Sequence, residues 1–155
     1  MEPFFIQTLT EEHALQLHAL YQGEWWSHGR TLAEVHRLLA GDSRLFALCN
    51  GAGGPLLAFA RVLTDGVFKA FIFDVIVHPD HRGKGLGRNL MYRILEDSVI
   101  SQVRHIELYC RTDRISYYRE LGFTDEAQKD VVLMRRMRPA AGLSSPPLAH
   151  PPPPP

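Results

Sequence analysis

The segment of this 155-residue chain that points most directly to chemistry is a short run of glycines and basic residues. Its members are Arg82, Gly83, Lys84, Gly85, Leu86 and Gly87, with Arg88 directly after them. The run separates an apolar stretch from one with helical spacing, so it should offer free backbone N–H groups at the positive end of a helix dipole. Glycine also lets an anion approach without a Cβ in the way. This segment, the glycine turn, is predicted to bind a phosphate or pyrophosphate.

Spacing separates the glycine turn from other nucleotide-binding loops. A P-loop requires Gly-x-x-x-x-Gly-Lys-Ser/Thr, but the residue five positions before Gly83 is His78. A dinucleotide fingerprint requires Gly-x-Gly-x-x-Gly, and its last position would fall on Arg88 or on Leu90. The pattern that the turn does satisfy is Arg-x-x-Gly-x-Gly.

Together with Val77 and Pro79, the turn resembles the acetyl-CoA signature of the GCN5-related N-acetyltransferases (GNATs), Val-x-Pro-x-x-Arg-Gly-x-Gly-x-Gly. A second segment, residues 118–123, is similar to the family's other signature, Tyr-x-x-x-Gly-Phe. It lies about 30 residues downstream, after the next predicted strand, as the family's layout requires. The resemblance covers residues 4–137, nearly all of the chain before a proline-rich tail.

The resemblance implies direct transfer of an acetyl group from acetyl-CoA to an amine, with the glycine turn holding the CoA pyrophosphate. Negative charge builds on the thioester oxygen during attack and needs a fixed donor. By the family's layout this donor is the backbone N–H of Val75, while Ile76 and Val77 contact the pantetheine arm. Tyr118 matches the general acid that protonates the leaving thiolate. The alternative for Tyr118 is a ring that only packs on the sheet, and Tyr117, about 100° round the helix, is the weaker candidate for the acid.

The general base is open at this level. Several family members use a carboxylate on the strand before the turn, and Asp74 is the carboxylate in that strand. Burial could raise its pKa and suit it to base work. Asp74 could equally be a structural carboxylate that ties the strand to a neighbouring loop or helix. The position that aligns with a known base falls near Phe71, which cannot act, so a water relay is the third alternative.

Aromatic and charged residues gather where the first two predicted helices meet, a region that lines the acceptor groove in this family. They are Tyr21, Trp25, Trp26, His28 and Arg30. The tryptophans suggest a binding wall, and Arg30 could hold an acceptor carboxylate; the alternative is a pair of aromatic rings that cap the core. Asp65 and Phe68, on the turn before the central strand, are further candidates. The surrounding pattern resembles a small bacterial-type branch of the family with no well-defined substrate class.

Composition and charge narrow the choice of partners. Lys and Arg balance Asp and Glu at 17 each, which argues against a nucleic-acid binder. No stretch approaches the roughly 20 apolar residues of a membrane helix, and the first residues lack a secretory pattern. We therefore expect a cytoplasmic protein whose partner is a small-molecule or peptide amine, with a homodimer as one alternative for the oligomeric state. His78 and His81 are close in sequence, but no metal site is expected.

Periodicity, caps and turns predict the elements that position these residues. Strands are predicted at 4–9, 45–49, 56–63, 69–77, 105–110 and 130–137, and helices from Thr10, from Thr31, at 85–99 and at 112–121. The strand at 69–77 is apolar almost throughout, which favours cover on both faces. With the resemblance, this order implies an α/β fold of the GNAT type. Its sheet would be mixed and mostly antiparallel, with a central parallel β-α-β unit that binds acyl-CoA.

One domain, residues 1–138, accounts for all of these features. Eight of the 17 residues from 139 to 155 are proline, which is typical of a disordered tail or of a ligand for a proline-binding domain.

The sequence leaves two functions as alternatives. The first is an active acyltransferase that moves an acetyl group from acetyl-CoA to a primary amine. The second is an acyl-CoA-binding or regulatory module that keeps the fold without turnover.

Overall fold

A computed structural model describes residues 2–126 and 131–136 of the chain, and its framework is one five-stranded sheet. The strands are β1 (Phe4–Ile6), β2 (Arg44–Cys49), β3 (Leu56–Thr64), β4 (Lys69–Val77) and β5 (His105–Leu108). They lie side by side in chain order. Neighbours pair antiparallel from β1 to β4, and β5 joins β4 in parallel. The predicted α/β fold with a mixed, mostly antiparallel sheet is therefore confirmed.

The helices of the described residues begin close to the predicted positions. They are α1 (Glu11–Gln22), α2 (Leu32–Leu39), α3 (Leu86–Leu95) and α4 (Ile115–Arg119). Thr10 and Thr31 cap α1 and α2: each hydroxyl accepts a hydrogen bond from the backbone N–H three residues on. In both cases the side chain at that third position also bonds back to the N-cap backbone.

The third helix is shorter than predicted. It was expected to run to about residue 99, but α3 ends at Leu95. The carboxylate of Asp97 accepts hydrogen bonds from the backbone N–H groups of Val99 and Ile100, at 3.0 and 3.2 Å, and so begins a separate 3-10 turn. A short acidic side chain that bonds nearby backbone in this way competes with helical hydrogen bonding.

Helices cover both faces of the sheet with apolar side chains. On one face, α3 packs on β2, β3 and β4 through Leu90, Met91 and Ile94. On the other face, α1 and α2 pack on the sheet through Leu17, Leu20, Tyr21 and Val35. Removing this apolar surface from water is the dominant stabilising contribution to the fold. The packing of the helices on the sheet also fixes the direction in which the end of β4 enters the glycine turn.

Strand β4 carries one irregularity, next to its C-terminal end. The pairing with β3 shifts by one residue, so that Ala60 faces both Asp74 and Val75. This is a β-bulge, and Asp74 has a φ of 57°, in the left-handed region that residues other than glycine rarely adopt. A bulge takes backbone groups of the longer strand out of the regular ladder. The strand is therefore interrupted at the residue nominated as the oxyanion donor.

Two further sequence predictions differ from the structure. The strand predicted at 130–137 is wrong for the residues described there, since 131–136 form no strand and are all exposed. An apolar run becomes a strand only where a neighbouring strand pairs with it, and the described sheet ends at β5. Strand β4 is also less fully covered than predicted, because Phe71 and Phe73 are only partly buried. The proline-rich tail lies outside the described residues. Among the described residues, no helix is long and apolar enough to span a membrane.

Candidate active site

The glycine turn forms directly beyond β4. A 3-10 turn covers Pro79–His81, and α3 begins at Leu86. Gly83 and Gly85 have φ values of 74° and 78°, in the left-handed region that glycine enters without steric cost. Apart from the glycine itself and its two chain neighbours, no described atom lies within 4 Å of the place where a Cβ would sit on either glycine. The backbone of the turn at the N-terminus of α3 is therefore not obstructed by side chains of the described residues, and phosphate binding there stays a prediction.

The second sequence motif packs against the first. Helix α4 carries Tyr117 and Tyr118, whose rings meet edge to face with centroids 5.0 Å apart. A Cβ placed on Gly87 would lie 3.2 Å from the hydroxyl of Tyr117 and 3.6 Å from Cγ2 of Val77. Gly87 is therefore the point at which the glycine turn, the end of β4 and α4 meet. A side chain at this position would require the Tyr117 hydroxyl to move by a few tenths of an ångström.

Three basic side chains surround the glycine turn, and each has a partner within the protein. Arg82 forms an ion pair with Glu24 of the loop after α1, and Arg88 forms one with Glu120 just beyond α4. Lys84 donates from Nζ to a backbone carbonyl of the preceding 3-10 turn at 3.0 Å. A phosphate at the turn would compete with these surface carboxylates for the two arginines.

Tyr118 is half-buried against the core beneath α3, between the rings of Tyr117 and Phe123. Burial raises the pKa of its phenol to about 12, with smaller contributions from Tyr117 and Cys110. The phenol is therefore protonated throughout the physiological range, as a proton donor to a thiolate must be. The side chain both packs on the core and keeps the proton that the acid role needs.

The residues nominated to contact the pantetheine arm lie between the bulge and the glycine turn. The side chains of Val75 and Val77 pack on the α3 face of the sheet, and Ile76 is buried on the opposite face. Their backbone runs from the interrupted pairing to the end of β4. Backbone contacts by these residues would therefore not require exposed polar side chains.

The carboxylate of Asp74, one of the candidates for the base, is bound on several sides. It accepts hydrogen bonds from Oη of Tyr21 at 2.9 Å, from Nε of Arg61 at 2.7 Å, and from Nη1 and Nη2 of Arg30 at 3.0 and 3.2 Å. Only 4% of the Asp74 side chain is exposed.

This surrounding determines the charge of Asp74. Burial alone would raise its pKa, but the hydrogen bonds and positive charges of Arg30 and Arg61 outweigh that effect and hold the pKa below its usual value. Asp74 is therefore an ionised carboxylate whose oxygens already accept hydrogen bonds from neighbouring side chains. Of the alternatives that the sequence leaves open, these contacts favour the structural one.

The acceptor candidates divide into a packed group and an exposed one. Trp26 meets Tyr21 edge to face with centroids 6.0 Å apart, and the guanidinium of Arg30 lies over both rings, 4.4 Å from that of Tyr21 and 5.4 Å from that of Trp26. Tyr21 is fully buried and Arg30 is bound to Asp74, so in this structure both serve the carboxylate network. Trp25, by contrast, is 72% exposed.

The two candidates on the turn between β3 and β4 also have distinct surroundings. The carboxylate of Asp65 accepts hydrogen bonds from the backbone N–H groups of Val67, Phe68 and Lys69, at 2.9, 2.8 and 3.0 Å, and these bonds lower its pKa. Asp65 therefore stabilises the hairpin turn. Phe68 is exposed, with the guanidinium of Arg104 5.5 Å from its ring centroid.

Sequence reasoning missed two features of this region. Glu24 was not singled out as a partner of Arg82, because the two are 58 residues apart and nothing local signals the pair. The apolar run of β4 predicts cover on both sides, although the alternation of partly buried Phe71 and Phe73 with buried Ile72 indicates that one face is less covered. The ring of Phe71 lies against those of Phe73 and Tyr109.

Comparisons with known proteins agree on one family. The model described as "Acetyltransferase (GNAT) family" matches residues 8–123. The uncharacterized N-acetyltransferase ycf52 of Porphyra purpurea is 36% identical over 96 residues, which cover 61% of this chain and 55% of that protein. Serotonin N-acetyltransferase 2, chloroplastic, of Oryza sativa subsp. japonica is 45% identical over 74 residues, covering 48% of this chain and 36% of that protein. The chain thus spans about half the length of the first relative and about a third of the second.

Solved structures show the same likeness. A protein from Xanthomonas campestris pv. campestris, assigned to the GNAT family, matches with a TM-score of 0.76 and 27% identity, over 88% of this chain and 94% of that one. The complex of AAC(6')-Iy with a CoA bisubstrate analogue has a TM-score of 0.63 at 18% identity, over 89% of this chain and 99% of that one. The second match shows likeness of fold alone.

Proposed function

Because the chain belongs to the acetyltransferase (GNAT) family, we propose that it transfers an acetyl group from acetyl-CoA to a primary amine. The observation that carries the proposal is the order of three features along one path. A strand is interrupted at Asp74 and Val75, continues to Val77, and then enters an open glycine turn at the start of α3. We propose that this path would provide backbone donors to a thioester oxygen at one end and to a pyrophosphate at the other.

The donor would lie along this path. Backbone N–H groups of the glycine turn would hold the pyrophosphate, and the neighbouring basic side chains would add charge. Those residues are Arg82, Gly83, Lys84, Gly85, Leu86, Gly87 and Arg88. The residues after the bulge, Val75, Ile76 and Val77, would hold the pantetheine arm through their backbone. Bound acetyl-CoA supplies an acetyl group activated as a thioester.

The chain's own groups would then act on charge and protons. The amine nitrogen bonds to the carbonyl carbon and the carbon–sulfur bond breaks, so negative charge passes from the carbonyl oxygen to sulfur. The N–H of Val75 would stabilise the charge on oxygen. Tyr118, protonated because burial raises its pKa to about 12, would give its proton to the thiolate.

Deprotonation of the amine is assigned to water and not to a side chain. Asp74 is bound by two arginines and a tyrosine, so we propose that it holds the bulge in place and that water relays the proton. The net positive charge of Asp74 with Arg30 and Arg61 also lowers the affinity of a nearby amine for a proton. An amine bound beside this cluster would therefore be easier to deprotonate.

The acceptor is a small molecule or a peptide amine. The rice relative is named for serotonin, a small amine, which supports the first of these two classes. Trp25, exposed on the loop after α1, is the nominated residue that remains most accessible to an acceptor.

The test is release of free CoA thiol from acetyl-CoA in the presence of a panel of primary amines. Turnover with at least one amine, and loss of turnover on Tyr118→Phe, is the expected result. Tight CoA binding without thiol release from any amine would overturn the proposal. That outcome would instead identify an acyl-CoA-binding module that keeps the fold without catalysis.

A further inference from the structure

Three aromatic side chains form a continuous stripe on one face of the sheet, along β4 and the residue that follows β5. Phe71 lies between Phe73 and Tyr109, with ring centroids 4.6 Å from each. Phe71 and Phe73 are partly buried, and Tyr109, just beyond β5, is 58% exposed. Rings at these separations present one apolar surface rather than three separate ones. We call Phe71, Phe73 and Tyr109 the aromatic stripe.

The aromatic stripe begins at the proposed reaction centre. Phe73 directly precedes Asp74, and the stripe lies on the face of β4 to which Ile76 belongs. Helices α1 and α2 cover Ile76, but the stripe lies outside that buried cluster. Phe73 and Ile76 pair with Arg61 and Phe59, which are two residues apart on β3, so the stretch of β4 that contains the bulge and Val75 spans about 7 Å at about 3.3 Å per strand residue. An aromatic ring joined to an amine by two or three carbons spans that distance.

The charged side chains beside the aromatic stripe form ion pairs within the protein. The guanidinium of Arg61 lies 4.6 Å from the ring centroid of Phe73 and is also bound to Asp74. At the other end of the stripe, Lys69 pairs with Glu107 at 2.6 Å. Polyamines and lysine-rich peptides are recognised through carboxylates that can pair with their charges. Here the described carboxylates beside the stripe are paired within the protein, and what remains accessible is the exposed part of the rings, most of it on Tyr109.

From this arrangement we infer that the aromatic stripe is the floor of the acceptor site and that the acceptor is a small primary amine carrying an aromatic ring. The inference rests on the proposed acetyl transfer and narrows its substrate class. The ring of the acceptor stacks on Phe71 and Phe73, while its amine extends toward the bulge at Asp74 and Val75. Offset or edge-to-face contacts between rings favour an aromatic group over a saturated one of the same size.

The first experiment compares 2-phenylethylamine with 2-cyclohexylethylamine, which has the same linker and a saturated ring. We expect kcat/KM for the aromatic amine to be about fivefold to tenfold higher, an advantage that stacking on two rings provides. Spermidine and a lysine-containing peptide should be poorer still. Equal or higher kcat/KM for the cyclohexyl amine, for spermidine or for the peptide would overturn the inference.

The second experiment changes the stripe. Phe71→Leu and Tyr109→Leu should each raise KM for 2-phenylethylamine several-fold while KM for acetyl-CoA stays unchanged, and the aromatic preference should shrink. Phe4→Leu, which alters an exposed ring on β1 at the opposite edge of the described sheet, is the matched control and should change neither KM. Tyr109 is exposed enough that its replacement should not disturb folding. An unchanged aromatic preference in Tyr109→Leu and Phe71→Leu would overturn the inference.

Failure of the broader proposal can be told apart from failure of this one. If no amine releases CoA thiol, acetyl transfer is refuted. Calorimetry of 2-phenylethylamine with the CoA-bound protein then tests separately whether the aromatic stripe binds an aromatic amine. Binding that Tyr109→Leu weakens would support an aromatic ligand at the stripe. No binding, or binding unaffected by Tyr109→Leu, would overturn it.

Discussion

The Nε atom of Arg61 donates a 2.7 Å hydrogen bond to the carboxylate of Asp74, and this contact ties β3 to the bulge of β4. The same carboxylate holds Arg30 and Tyr21, which belong to the loop before α2 and to α1. One acidic residue thus connects three parts of the chain at a backbone conformation that needs support, since its φ is 57°.

Loss of this carboxylate should destabilise the protein. Asp74→Asn leaves Arg30 and Arg61 without their counter-charge in a largely buried setting, which should lower the free energy of unfolding by about 3 kcal/mol near neutral pH. Urea unfolding of the variant and the wild type measures the difference. Asp42→Asn, at an exposed position, is the control and should stay within about 0.5 kcal/mol of the wild type. An Asp74→Asn protein as stable as the wild type would contradict the proposed support of the bulge.

The pH dependence of that difference follows from the lowered pKa of Asp74. A carboxylate whose folded-state pKa lies below its unfolded value stabilises the fold fully above the unfolded pKa, about 4. The contribution is lost as pH falls through the lower, folded-state pKa. The stability gap between wild type and Asp74→Asn should therefore be constant around neutral pH and narrow in acid below about pH 4. A gap that widens as pH falls from neutral to pH 5 would mean that the pKa of Asp74 is raised instead.

Kinetics can separate support of the bulge from a role as base. Because its pKa is depressed, Asp74 cannot produce an acidic limb near neutral pH in a plot of kcat/KM against pH. Asp74→Asn should lower kcat by about tenfold or more by displacing the backbone around Val75, but leave the midpoint of any acidic limb unchanged. Disappearance of that limb in the variant would identify Asp74 as the base.

The two tyrosines of α4 should behave differently on loss of their hydroxyls. Tyr118→Phe should lower kcat by about a hundredfold and leave the affinity for CoA unchanged, since the packing of the ring is kept. Because burial raises the pKa of Tyr118 to about 12, wild-type kcat should show no alkaline loss from this group until that range. Tyr117→Phe is the matched control and should retain turnover. Full activity of Tyr118→Phe would remove it as the acid.

Local signals explain the elements that the sequence predicted well. Thr10 and Thr31 cap their helices through residues three positions on, so both helix starts can be recognised within a few residues. Strand β4 has the predicted bounds because its apolar run is terminated by Pro79. The glycine turn was recognisable for the same reason, since its geometry depends on its own glycines and on the elements directly beside it.

Features that depend on distant partners were predicted less well. The bulge arises from pairing with β3, and the carboxylate that supports it draws on Tyr21 and Arg30, 53 and 44 residues away. Neither spacing nor composition could choose between a base and a structural role for Asp74. The strand predicted at 130–137 shows the same limit, because residues 131–136 have the apolar character of a strand but no described partner strand.

The contact between Gly87 and Tyr117 makes the two sequence motifs energetically dependent on each other. Gly87→Ala brings its Cβ within 3.2 Å of the Tyr117 hydroxyl, so CoA binding should weaken and the unfolding free energy should fall by about 1 kcal/mol. In a Tyr117→Phe background that oxygen is absent, and the same substitution should cost less. The double-mutant cycle, measured by CoA affinity and by urea unfolding, gives the coupling. Strict additivity of the two changes would mean that the contact does not constrain the turn.

The ion pair between Arg82 and Glu24 should restrain donor binding rather than assist it. Arg82 has to exchange Glu24 for a phosphate, so removing the charge of Glu24 should leave the arginine more available. Surface pairs contribute about 0.2–1 kcal/mol, so Glu24→Gln should tighten CoA binding by up to about fivefold, while Arg82→Gln should weaken it. Calorimetry at low and high salt measures both, and the gain should shrink as salt screens the pair. Glu12→Gln, exposed at the start of α1, is the control and should leave the affinity unchanged. If Glu24→Gln weakens CoA binding instead, the ion pair orients Arg82 for the phosphate and Glu24 belongs to the donor site.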